Sequence, residues 1–133
     1  MKVENTVVRS AHDNSALVAS LAGAMAASPD AVMVTDTSGV IRYVNTAFER
    51  MTGYLREEAI GRTPRLLRSD AHPPEFHRNL WAKLLEGRPY RGVIVNRHSD
   101  GSLYHEEASI WPLFGPDGRI THFVSLGRYA AAA

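Results

Sequence analysis

The stretch from Arg91 to Pro112, RGVIVNRHSDGSLYHEEASIWP, decides the fold. It reads as two strands around a tight turn. Gly92 to Arg97 is rich in β-branched residues, which suit a pleated, half-buried surface. Ser99-Asp100-Gly101-Ser102 supplies the reversal, because Asp-Gly offers the positive φ that a tight turn requires. Leu103 to Trp111 mixes polar and apolar residues as a half-buried antiparallel strand does. Polar groups embedded in this hairpin, chiefly Asn96, Tyr104 and Glu107, mark it as the first place to look for a ligand.

Working outward, the residues before the hairpin alternate between strand and helix signals. Met1 to His12 is polar and unpatterned and reads as a flexible arm (1–12). Asp13 can cap a helix over Asn14 to Ala27, where Leu17, Val18, Leu21, Ala24 and Met25 recur at helical spacing. That amphipathic stripe (13–27) either packs on its own domain or pairs with a second copy. Ala31 to Thr35 and Val40 to Val44 form a hairpin around Asp36-Thr-Ser-Gly39. Asn45 caps a short helix through Phe48 and Met51, which Gly53 ends. Leu55 to Ile60 gives another helical turn or two, closed by Gly61. Arg62 to Asp70 is a loop or short helix. Pro73-Pro74 opens a helix carrying Phe76, Leu80, Trp81, Leu84 and Leu85, which stops at Gly87. After the hairpin, Phe114 to Gly118 is a turn. Ile120 to Leu126 is the last strand, with Ile120, His122, Val124 and Leu126 on one side.

The class that follows is α+β: a five-stranded antiparallel sheet with several short helices on one face and the N-terminal amphipathic helix beside it. Such a layering leaves a concave interior, a usual place for a small ligand. At 133 residues the chain makes one domain with a core of its own (28–128), and 129–133 reads as a truncated or engineered tail. A net charge of +1 gives no reason to expect nucleic acid as a partner. The chain has no cysteine, which excludes disulfides, thiolate metal sites and cysteine nucleophiles and fits a cytoplasmic location. The longest apolar window, Ala16 to Ala27, falls short of the roughly 20 residues a membrane span needs. No nucleophile turn, phosphate loop or metal-ligand spacing points to an enzyme.

These pieces together resemble a PAS (Per–Arnt–Sim) sensory domain. They stand as Asp30 to Asp36, Gly39 to Phe48, Met51 to Tyr54, Glu57 to Gly61, Leu80-Trp81, Gly92, Asn96-Arg97, Asp100 to Tyr104, Pro112 and Asp117 to Ile120. The run Leu80-Trp81 with Arg88 to Arg97 is most similar to the flavin-binding PAS domains of redox sensors, of the nitrogen-fixation regulatory flavoprotein, methane-oxidation sensor kinase and aerotaxis receptor type. The resemblance implies a flavin, FAD or FMN, between sheet and helices, with Trp81 near its ring and Asn96 on its polar edge. Tyr104, Glu107, Leu66 and Val34 complete the implied cofactor-binding set. An isoalloxazine is a flat apolar body with an amide-like edge, so an aromatic slot plus an Asn that donates and accepts suits it.

The run Thr63 to Leu67 departs from this pattern, with proline and arginine where the redox flavoprotein has an acidic residue. Light–oxygen–voltage photochemistry is excluded, because its reactive cysteine is missing. Read from residues alone, Asn96 faces either solvent or ligand, and Trp81 is either plain core or cavity wall. Glu107 opposite Arg97 would make an ordinary cross-strand pair. A haem alternative needs an axial ligand, for which His77 is the candidate.

The expected function is non-enzymatic: the input domain of a histidine kinase or diguanylate cyclase, sensing redox state, oxygen or a small ligand. It would signal through a homodimer formed by the N-terminal helix and the sheet to a C-terminal effector absent from this chain. The alternative is a ligand-free PAS domain that serves as a dimerisation or docking module.

Overall fold

The structure, a computed structural model, describes residues 20–131. Residues 20–27 are helical (α1), followed by β1 (Ala31–Asp36), β2 (Ile41–Val44), α2 (Thr46–Thr52) and α3 (Arg56–Ala59). A 3-10 turn (Pro64–Leu67), α4 (Pro74–Leu85), β3 (Tyr90–Arg97), β4 (Leu103–Phe114) and β5 (Ile120–Tyr129) complete the chain. The expected arm and the first half of the N-terminal helix, with Leu17 and Val18, lie outside the described residues. No helix among the described residues is long and apolar enough to cross a membrane.

The strands form one antiparallel sheet in the order β2-β1-β5-β4-β3. The hairpin β3–β4 is therefore one side of the sheet, and β5 is its centre. Helices cover one face, and Ile41, Val44, Phe48, Met51, Ala59 and Leu67 pack between the layers as a fully buried core. β4 and β5 each run three residues past their sequence signals. β4 passes through Pro112 because β3 ends opposite Ile110, so the proline costs no ladder bond on that side. β5 continues to Tyr129, whose hydroxyl donates to the Met51 carbonyl at 2.9 Å. Tyr129 is thus part of the domain and not of a tail.

Asn45 explains how the N-terminal elements meet. Its Oδ1 accepts from Phe48 N, the expected helix cap, and also from Val32 N, both at 2.9 Å. Its Nδ2 donates to Met25 O at 2.8 Å and Asp30 O at 3.0 Å. A side-chain amide with no exposure thereby uses both donors and both acceptor sites, and ties α1, β1 and α2 together. Gly53 ends α2 at φ 80°, a left-handed conformation that costs glycine little.

Edge strand β3 is covered as well. His72 Nε2 accepts from Val95 N at 2.9 Å, Ser69 Oγ donates to Val95 O at 2.6 Å, and Arg68 forms a lone bridge with Asn96. These contacts occupy the outward groups at Val95 and Asn96, part of an edge that would otherwise invite another strand. The opposite face of the sheet carries exposed Val93, Leu103 and Leu113.

A cavity between sheet and helices as the candidate ligand site

A cavity of about 450 Å³ lies between the helices and the sheet. Helix α4 faces it with His77, Leu80, Trp81 and Leu84, whose spacing of three, four and seven places all four on one side of a helix. Trp81 is half-buried and tilts over Phe123 of β5, ring centroids 5.0 Å apart. Helix α2 adds Phe48 and Met51, and Arg65 and Arg68 stand at its margin. Apolar walls with a few convergent polar groups are the ordinary make-up of a small-molecule site.

The sheet wall follows from strand register. Asn96 pairs with Tyr104, Ile94 with Glu106 and Gly92 with Ala108, so these six share one face. On β5 the same face carries Phe123, Ser125 and Gly127, and on β1 it carries Ala31, Met33 and Thr35. His122, Val124 and Leu126 do lie together as expected, but on the face turned away from the helices.

This register sorts the expected set. Trp81 and Asn96 both line the cavity. Tyr104 shares their face but is buried in the adjoining core, its ring 4.3 Å from that of His98. Leu66 packs against the same core without reaching the cavity. Val34 and Glu107 stand on the opposite face, because side chains on a strand alternate and both have the wrong parity. Glu107 pairs with Val93 on one side and Arg128 on the other, its carboxylate 3.9 Å from the Arg128 guanidinium. Its expected partner Arg97 lies opposite Leu103.

The acidic residue in the cavity is Glu106. It is 7% exposed, and Asn96 Nδ2 donates to its Oε1 at 3.0 Å. Burial pushes its carboxyl up to about 7, against the smaller opposing effect of the Asn96 hydrogen bond. A side chain on Gly127 would collide with this carboxyl, so glycine at that point of β5 makes room for it. Parity was the signal available in the sequence: Asn96 and Tyr104 on facing strands of a hairpin bring Glu106, and not Glu107, to their side.

His77 is a further polar group lining the cavity, beside Asn96, Thr35, Thr63 and Ser125. Its Nε2 is buried with no hydrogen-bond partner among the described residues. Burial, helped by the nearby positive charge of Arg68, holds its ring below the ordinary histidine range and so in the neutral form. His72, five residues earlier, precedes the helix and stacks on Phe76 at 4.1 Å. Burial also raises the Tyr104 phenol well above its ordinary value. At neutral pH the interior therefore offers uncharged His77 and Tyr104, and a carboxyl poised between its two forms.

The PAS fold family model matches residues 19–129. The chain is 37% identical over 98 residues to a nitrogen fixation regulatory protein of Klebsiella pneumoniae, covering 74% of this chain and 20% of that protein. It is 27% identical over 92 residues to the aerotaxis receptor of Escherichia coli (strain K12), covering 69% of this chain and 18% of the receptor. Among solved structures, the LOV domain from the Erythrobacter litoralis EL346 blue-light activated histidine kinase superposes with a TM-score of 0.71 at 27% identity. That superposition covers 79% of this chain and 99% of that domain. The chain spans about a fifth of the length of these two curated relatives. It belongs to the PAS family.

Proposed function

We propose that this PAS domain is the non-catalytic sensory input unit of a larger signalling protein, of histidine kinase or diguanylate cyclase type, and that its cavity holds a flavin. The observation that carries this reading is one cavity lined both by apolar groups, Trp81 among them, and by the hydrogen-bonded Asn96–Glu106 pair. The residues fit such a group. Its flat ring suits the space between α4 and the sheet, and its amide-like edge needs neighbouring donor and acceptor groups, which Asn96 and Glu106 supply. When bound, FAD or FMN supplies an electron couple that makes the site responsive to redox state. The chain's own part is to orient the ring on Asn96, exclude water with Trp81 and Leu84, and set the charge at the polar edge. Similarity to a nitrogen fixation regulatory protein and an aerotaxis receptor supports the sensory role. Arg65 and Pro64 stand where redox flavoproteins carry an acidic residue, so no proton relay is placed there.

Output requires that the occupant interact differently with two states of the domain. Asn96 and Glu106 sit on β3 and β4, and β4 is laddered to β5, whose Tyr129 reaches α2. A change in hydrogen bonding at the polar edge therefore has a route through the sheet to both ends of the chain. Two copies would pair through α1 and the outer sheet face, where Leu21, Val93 and Leu113 are exposed.

The test is the visible absorption spectrum of the purified domain. Oxidised flavin bands support the reading, and Asn96→Ala should then weaken flavin retention or move its potential. A Soret band would replace flavin by haem, with His77 Nε2 as the axial ligand. A colourless protein that also rejects added flavin would leave a ligand-free docking module.

A further inference from the structure

Glu106 is not used by the reading above beyond its contribution to the polar edge, yet its setting constrains what that edge can be. Asn96 Nδ2 is committed to Glu106 Oε1. The amide keeps a second N–H, and its Oδ1 can only accept a hydrogen bond. The carboxyl's second oxygen lies over Gly127, in space that β5 leaves by having no side chain there. Among the described residues, no cationic side chain forms an ion pair with this carboxyl. Its neighbours on the same face of the sheet are Asn96 and Ile94 of β3, Tyr104 and Ala108 of β4, and Gly127 and Tyr129 of β5, none of them charged at neutral pH. Across the same cavity α4 presents His77, whose ring burial holds below its ordinary value. Arg65 and Arg68 at the margin of the cavity are exposed, so their charge is spent largely on solvent.

We propose that Glu106 acts in this cavity as a protonated carboxylic acid, a hydrogen-bond donor that selects ligands with an uncharged carbonyl beside an N–H, and that such a ligand brings one proton into the site. The inference rests on the cavity reading above and names its regulation. An imide or amide edge presents N–H and C=O side by side. Where Asn96 Oδ1 accepts from the N–H, a C=O that falls beside Glu106 requires a donor there, which the carboxylate cannot be and the acid can. Filling the cavity also removes the water that stabilises the charged form. The balance is simple: Glu106 carboxylate plus one proton from solvent becomes the acid, and no other bond changes. Affinity for such a ligand therefore falls as pH rises through the carboxyl's titration. Placing the carboxyl near neutrality makes occupancy sensitive to pH in the range a cell experiences.

Riboflavin is the probe, because it has no phosphate to titrate. Calorimetry in two buffers of different ionisation enthalpy counts protons taken up on binding. Uptake should approach one per riboflavin at about pH 8, and Kd should weaken by up to about tenfold per pH unit above the titration of the free carboxyl. Glu106→Gln has a permanent N–H donor in place of the acid, so it should take up no proton and bind with a pH-independent Kd. In the wild-type domain, the Glu106 side-chain carbon followed by NMR should titrate near neutrality when free and higher when riboflavin is bound. Proton release, or uptake that is unchanged in Glu106→Gln, overturns the proposal and leaves the flavin reading standing. A free carboxyl that titrates in the ordinary glutamate range does the same. Failure of riboflavin to bind at any pH overturns the proposal, and failure of FAD and FMN to bind as well overturns the flavin reading.

Discussion

Replacing Glu106 by Gln should stabilise the empty domain at alkaline pH and leave it nearly unchanged in acid. A glutamate ordinarily titrates near 4.5, and burial lifts Glu106 to about 7. Because the folded pKa is raised, the folded state holds a proton that the unfolded chain gives up first. Stability from this group is therefore complete below the unfolded value, declines as pH rises between the two, and is flat above the folded value. At about 1.36 kcal/mol per unit, the shift corresponds to a loss of about 3 kcal/mol between acid and alkaline conditions. Glutamine keeps the shape and an oxygen for the Asn96 donor at 3.0 Å, but has no charge to bury. Urea unfolding at a series of pH values, from about pH 4 to about pH 9, measures the difference directly. The two proteins should agree at the acid end and diverge through neutrality, with the variant more stable by about 3 kcal/mol at the alkaline end. Parallel curves would refute the reasoning, since a constant offset reports packing and not ionisation.

Other substitutions probe other links. Asn45→Ala leaves the buried N–H groups of Val32 and Phe48 without acceptors, at a cost of roughly 3 kcal/mol, and should loosen α1 in hydrogen exchange. Gly127→Ala forces a methyl group into the Glu106 carboxyl and should cost roughly 2 kcal/mol. Much of that cost should vanish when Glu106 is also Ala, a coupling of order 1 kcal/mol that a double-mutant cycle would read. Leu21→Glu places a charge on an exposed residue of α1 and should yield monomers in sedimentation without unfolding the domain; an intact dimer would remove α1 from the interface.

The fold was legible because its signals are local. Asn45 as a cap, Gly53 as a terminator and Asp100-Gly101 as a turn each follow from the chemistry of one residue and its neighbours. The cavity was legible in part for the same reason, since Trp81 and Leu84 lie on one face of a predictable helix. Asn96 was picked out by its polarity within a β-branched strand. What escaped was parity. Tyr104 and Glu106, two apart, face one side of β4 and Glu107 the other, although the adjacent glutamates look alike in composition. The same one-residue ambiguity put Val34 in place of Met33 and Thr35. Strand length was misjudged for a different reason. Pro112 signals an ending locally, but its missing N–H matters only where a partner strand is present, and β3 stops before it. The fourfold hydrogen bonding of Asn45 is likewise a product of tertiary approach, since Met25 and Asp30 reach it only after folding.

The most direct measurement of the central claim is the absorption spectrum of the domain after incubation with excess FAD and removal of free cofactor by gel filtration. The account predicts that flavin elutes with the protein, with the structured visible band of a buried ring, and that Asn96→Ala retains less of it. A folded domain that emerges colourless would contradict the account.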